Sequence, residues 1–311
     1  MTLLYYDPLF LEHDTDDHPE NAGRIMPAAR HLNLVAMHFG CIRPSWEPLD
    51  PGMLTRIHSS TYVDSIRNLA EGGGGILDHD TVLSTRSFDV ARVAAGAVCD
   101  AVDKVIAGGE RHAFCLIRPP GHHASQNKGM GFCLFNNVAL GARRAIDQHG
   151  LDRVLIVDWD VHHGNGTQEI FWEDGRVGFF SIHRYPFYPG TGAADEIGAG
   201  AGLGTKLNVP IKFGTLRTEY LQQFNRGLEW LAGKIRPQLI IISAGFDAHR
   251  LDPVGSLGLE SEDFALMTRS VLEIANAHSD GRVVSALEGG YNPIAVAECV
   301  ESHVQQLLVT E

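Results

Sequence analysis

Five short apolar, β-branched runs punctuate the chain at residues 112–117, 153–158, 177–182, 238–244 and 282–287, and all but one give way directly to a polar, glycine-containing cluster. They read HAFCLI, RVLIVD, VGFFSI, QLIIISA and RVVSAL. Runs this uniformly apolar suit strands covered on both faces, whereas a sheet with one face in water would alternate apolar and polar residues. Between them the apolar spacing changes to three or four. Val90, Val93, Ala94, Ala97, Val98, Ala101, Val102 and Val105 would line one side of a helix closed by Gly108 and Gly109. Strand and helix alternating along most of the length predict an α/β protein, a single mainly parallel β-sheet with helices on both faces. No Pro/Ser-rich linker divides the sequence, so residues 1–311 are expected to form one catalytic-sized domain.

Composition narrows the function classes. The formal charge of −13 and the lack of any basic run argue against a nucleic-acid partner, which needs clustered Lys and Arg. Cys41, Cys99, Cys115, Cys133 and Cys299 are odd in number and irregularly spaced, which suits reduced thiols in a cytoplasmic protein. No apolar run approaches the roughly 18 residues that span a bilayer, so no membrane association is expected. The glycine runs at 72–75 and 198–204 lack the strand–loop–Gly-Lys-Ser/Thr context of a phosphate loop, the second being followed by Thr205-Lys206 in the wrong order. They are expected to be plain loops.

In open parallel sheets, ligands bind beyond the carboxyl ends of the strands. RPPGHHA, WDVHHGNG, GFDAH and EGGY all follow such ends. If Asp158 to His162 stays extended, Asp158, Asp160 and His162 point to one side, and Asp160 with His162 can grip one metal ion. Asp247 on a sister loop would supply a third ligand and leave positions open, the pattern of a catalytic zinc site. The spacing alone also fits a bland alternative, in which Asp158 and Asp160 cap the next helix. His122 and His123, after the stiff Pro119-Pro120-Gly121 turn, offer a general base and acid, with Asp158 and Asn165 placed to orient them. Tyr291, after Gly289-Gly290, offers a phenol donor to a developing oxyanion.

The motifs HPENAGR (18–24), RPPGHHA (118–124), GMGFCLFN (129–136), VDWDVHHGNGTQ (157–168), SIHRYPFYPGTG (181–192), SAGFDAHRLDP (243–253) and LEGGY (287–291) together resemble the histone deacetylase family, in its order and from residue 18 to about 300. The form DWDVHHGNGTQ is similar to the class II branch, which includes bacterial deacetylase-like amidohydrolases. The resemblance implies the arginase/deacetylase fold, zinc on Asp160, His162 and Asp247, and a narrow tunnel for an acylated amine. It implies His123 as general base and acid, His122 as its electrostatic partner and Tyr291 as the group that polarises the carbonyl. Phe132 and Tyr188 would wall the tunnel beside Gly131, Asp80 would hold substrate backbone at the rim, and Arg24 would lie in a pocket below the metal.

The same resemblance implies structural potassium at two places: Asp158, Asp160, His162, Ser181 and Ile182 match one site, and Phe171, Asp174 and Val177 the other. Asn165 stands where class I members carry a buried Asp, so the base is expected to be less basic. Val254 stands where polyamine-selective relatives carry a glutamate, which favours acyl-lysine in proteins or peptides over acetylpolyamines or other small acylamines. Asp/His/Asp ligands accept iron(II) as well as zinc. Two rivals are weighed. A two-manganese ureohydrolase needs D-x-H-x-D, which Gly164 breaks, and a non-catalytic acyl-lysine binder would have no use for Tyr291, His122 and His123 together. Acyl-chain length and oligomeric state are not written in these motifs.

Overall fold

The five apolar runs each form a strand, and the sheet they build is wider than they alone predict. The computed structural model describes residues 1–33 and 40–308. Among the described residues the strands are β1 (Thr2–Tyr5), β2 (Cys41–Ile42), β3 (Gly75–Asp78), β4 (Thr81–Leu83), β5 (His112–Cys115), β6 (Val154–Asp158), β7 (Val177–Arg184), β8 (Lys206–Ile211), β9 (Leu239–Ala244) and β10 (Val283–Leu287). Eight of them lie in one sheet in the order β2-β1-β5-β10-β9-β6-β7-β8, and β3 with β4 forms a separate antiparallel pair. Every neighbouring pair of the large sheet is parallel.

The central strands are buried at every residue because helices lie over the sheet. The helix Ser87–Ala107 buries all eight apolar positions read from its spacing and ends at Gly108 with φ 85°, a left-handed cap that glycine adopts without a Cβ clash. It packs on Asn137–His149, and the two contact β5, β6, β9 and β10. Helices Arg217–Ile235, Ser261–His278 and Pro293–Leu308 form a second connected layer, touching β6, β7, β8, β9 and β5. Each fully buried Ile, Leu, Val or Phe at this interface contributes about 1.5–3 kcal/mol. The helix Pro293–Leu308 closes beside β1, where Thr2 Oγ1 donates to the Leu307 carbonyl at 2.7 Å.

Register positions the site. Cys115 pairs with Ala286, Leu287 with Ala244, and Asp158 with Ser243, so β5, β10, β9 and β6 end level and side by side. The four polar clusters therefore leave the sheet at one rim.

Candidate active site

Asp158 is the last residue of β6, and the chain does not continue extended beyond it, contrary to the alternation expected over 158–162. Two successive carboxylate turns replace the strand: Asp158 Oδ1 accepts from Asp160 N at 3.1 Å, and Asp160 Oδ1 accepts from His162 N at 2.9 Å. The turns separate the side chains by role. Asp158 Oδ2 reaches back to His122 Nδ1 at 2.9 Å, while Asp160 Oδ1 lies 3.0 Å from His162 Nδ1. Asp247, from the loop after β9, brings Oδ2 to 3.1 Å from the same nitrogen.

Donor atoms of Asp160, His162 and Asp247 all lie within 4.8 Å of one another, and all three residues are buried. Asp247 Oδ1 accepts from Val161 N at 2.8 Å, but its Oδ2 is buried without a hydrogen bond. A Cβ on Gly289 would stand 2.3 Å from that oxygen and 2.5 Å from Asp160 Oδ2, so only glycine lets the turn close over the cluster. Burial and the neighbouring Asp160 push Asp247 up to about 7, whereas for Asp160 the burial penalty is outweighed by His122 and His162 and its pKa falls. Two buried carboxylates this close repel, and a divalent cation is the partner that satisfies both. The set fits one such ion. His122, Cys133 and Glu288 form a second compact group, but both Glu288 oxygens are already engaged: Oε2 by Gly121 N and His122 N, and Oε1 by the Ser243 hydroxyl.

The two adjacent histidines sit in different surroundings. Asn165 Oδ1 accepts from His123 Nδ1 at 2.7 Å, which leaves Nε2 with its lone pair for chemistry. Burial, then His122 and His162, hold His123 well below the usual imidazole range. For His122 burial works the same way, but Asp158 and Asp160 overcome it and push the ring up to about 10. A neutral ring thus stands against a charged one, 4.0 Å apart by centroids.

Above them lies a ring of aromatics. Tyr188 packs edge-on against His123 at 5.3 Å and His162 at 5.9 Å. Phe132 packs edge-on against Tyr291 at 5.6 Å. Gly131, at φ 54°, is fixed between them, since a Cβ there would lie 2.4 Å from His123 Cδ2 and 3.0 Å from the Tyr188 hydroxyl oxygen. Asp80 Oδ1 accepts from Gly131 N at 3.2 Å and from the Thr81 hydroxyl at 3.1 Å, so it positions this wall. Tyr291 is half-buried; its backbone N donates to Asp252 Oδ2 at 2.7 Å, and Arg24 lies over its ring at 5.2 Å. Burial raises its phenol well above the usual value, keeping it a proton donor. Arg24 also donates through Nε to Gly290 O at 2.8 Å and through a terminal nitrogen to Glu288 O, bracing the turn that carries Tyr291. Val254 N donates to Asp252 Oδ1 at 2.9 Å, on the loop that follows Asp247.

Several contributors carried no role in the motifs as read. Phe187 stacks on His162 at 5.3 Å with 13° between planes, Glu288 holds the backbone of Gly121 and His122, and Asp252 ties Val254, Gly255 and Tyr291. LEGGY contained Glu288, but only its distance from Gly121 reveals the work it does. Asp158 and Ser181, two members of the first expected potassium set, are register partners. In the second expected set, the carbonyls of Asp174 and Val177 accept hydrogen bonds from Lys206 Nζ.

Comparison with known proteins accounts for this geometry. The histone deacetylase domain model matches residues 18–307. The chain belongs to the histone deacetylase family. It is 39% identical to the histone deacetylase-like amidohydrolase of Pseudomonas aeruginosa over 82% of this chain and 67% of that one. It is 38% identical to a probable deacetylase of Archaeoglobus fulgidus over 94% of this chain and 82% of that one. The crystal structure of the HDA15 HD domain superposes with a TM-score of 0.93 at 35% identity, covering 99% of this chain and 89% of that chain. This histone deacetylase family member therefore has the arginase/deacetylase α/β fold and the family's metal-dependent amidohydrolase activity toward acetylated substrates. Among the described residues, no helix of this family member is long and apolar enough to cross a membrane.

Proposed function

We propose that this chain is a single-domain zinc hydrolase that removes acyl groups from the lysine side chains of proteins or peptides. The observation that carries the reading is the convergence of Asp160, His162 and Asp247 on one point, below a neutral His123 and beside Tyr291. Zinc held there would supply Lewis acidity toward the amide carbonyl and acidify water. His123 takes the proton of the attacking water at Nε2 and returns it to the leaving amine; Asn165 keeps Nδ1 protonated throughout. His122, held cationic by Asp158, favours the negative charge that builds beside it. Tyr291 donates its phenolic proton as a hydrogen bond to the carbonyl oxygen as that charge develops. Phe132 and Tyr188 grip the aliphatic stem, with Gly131 leaving it room.

Val254, an uncharged residue on the loop after Asp247, supports acyl-lysine rather than a polyamine cation as substrate. Asp158, Asp160, His162, Ser181 and Ile182 would hold one potassium ion at the end of β6. All five cysteines are free thiols, which supports a cytoplasmic location. The test is hydrolysis of an acetyl-lysine peptide and of acetylspermidine-type amides, with and without chelator. Chelator-sensitive turnover of the peptide, restored by zinc and exceeding that of the polyamine, is expected. Faster polyamine turnover would reassign the substrate, and no turnover of either would leave a binding role.

A further inference from the structure

Lys206 opens the edge strand β8 and is only 1% exposed. An ammonium so deeply buried is costly unless all three of its donors are met. They are: Nζ lies 2.7 Å from Val177 O, 3.3 Å from Asp174 O and 2.7 Å from Thr205 Oγ1. The Thr205 hydroxyl gives its own proton to Gly202 O at 2.7 Å, so it turns a lone pair toward the ammonium. Two of these three oxygens are the carbonyls that the family resemblance assigns, with Phe171, to a second potassium ion.

Potassium and a lysine ammonium carry the same charge and seek the same ligands, oxygen lone pairs. They cannot share one cage, because Nζ stands at contact distance from the oxygens the ion would need. We propose that this chain carries its second monovalent cation covalently: Lys206 Nζ fills the cage at Asp174 and Val177, and potassium is not bound there. The tether clamps the start of β8 to Val177, the first residue of β7, and to Asp174 in the loop before it, beside the Phe179–Lys206 register pair. An ion held by mass action stabilises only in proportion to its concentration, whereas a tethered one is always present.

Thallium(I), a potassium substitute visible by anomalous scattering, tests this in crystals of the metal-loaded protein. Wild-type crystals are expected to show no thallium beside Val177 O, and Lys206→Ala crystals to show it there. Thallium at that position in the wild type overturns the proposal, and so does an empty cage in Lys206→Ala. Melting temperature gives a readout independent of activity. In choline chloride Lys206→Ala should melt about 4 °C or more below wild type and recover most of the loss in potassium chloride. Lys206→Met, which fills the space without charge, should stay low in both salts. If potassium restores Lys206→Met as well, or fails to restore Lys206→Ala, the cage does not select a cation and the proposal falls. Should Lys206→Ala not fold in either salt, the wild-type thallium map decides.

Discussion

His122 and His123 share a backbone turn, yet their partners drive them in opposite directions: a carboxylate behind one ring and an amide behind the other. The amide is the adjustable part. Replacing Asn165 by Asp puts a negative charge 2.7 Å from His123 Nδ1, which favours the imidazolium and raises its pKa. The acidic limb of kcat/KM should move to higher pH by about one unit, and an unmoved limb would show that Asn165 does not set the base. Tyr291 is the complementary test. Tyr291→Phe should lower turnover by about 10²-fold or more while elemental analysis finds the metal content unchanged. Full activity in that variant would remove the phenol from the chemistry.

At the scale of elements, what holds the Tyr291 turn is a buried ionic cluster far away in sequence. Glu20 accepts from Arg118 Nε at 2.7 Å and Nη2 at 2.9 Å, and from Arg24 Nη1 at 3.1 Å, and Arg24 passes the constraint on to Gly290. Glu20→Gln would leave two buried guanidinium groups short of a counter-charge. A loss of about 3–5 kcal/mol in urea unfolding is expected, and a change below about 1 kcal/mol would mean that water or rearrangement supplies the missing charge. The elements themselves were legible where burial is two-sided: β5, β6, β7, β9 and β10 are apolar runs because helices cover both faces. β1 and β2 were not, being too short for periodicity, and β8 mixes Lys206, Asn208 and Pro210 into its run. The site was legible as a set of motifs at strand ends. Its internal division was not, because the carboxylate turns at Asp158 and Asp160 break the alternation that spacing implies.

For the whole molecule, the histidines decide how it meets acid. Burial pulls His13, His58 and His163 down to about 4 and His183 and His303 to about 3, against an ordinary value of 6.5. Between those values the unfolded chain binds protons that the folded chain refuses, so the stability contributed by these five rings is full above pH 6.5 and drains as pH falls toward 4. Each histidine contributes up to about 1.4 kcal/mol per pH unit in that window. Glu20 adds a second loss lower down. Burial opposes its ionisation, but Arg118 and Arg24 hold it at about 2, so the unfolded chain protonates first below 4.5. The urea midpoint should fall steeply between about pH 6.5 and about pH 5. An unchanged midpoint over that range would mean these rings are not held neutral.

The hydrogen bond from Thr2 to Leu307 has a use in protein engineering. With the first strand and the last helix ending side by side, a short peptide could join them, and the chain could be reopened at the glycine turn of residues 72–74. Such a circular permutant would retain every strand-end loop of the site and move both tails to the edge beside the β3–β4 pair. A reporter fused there would sit at the Gly75–Leu83 end of that pair, opposite the turn that carries Asp80.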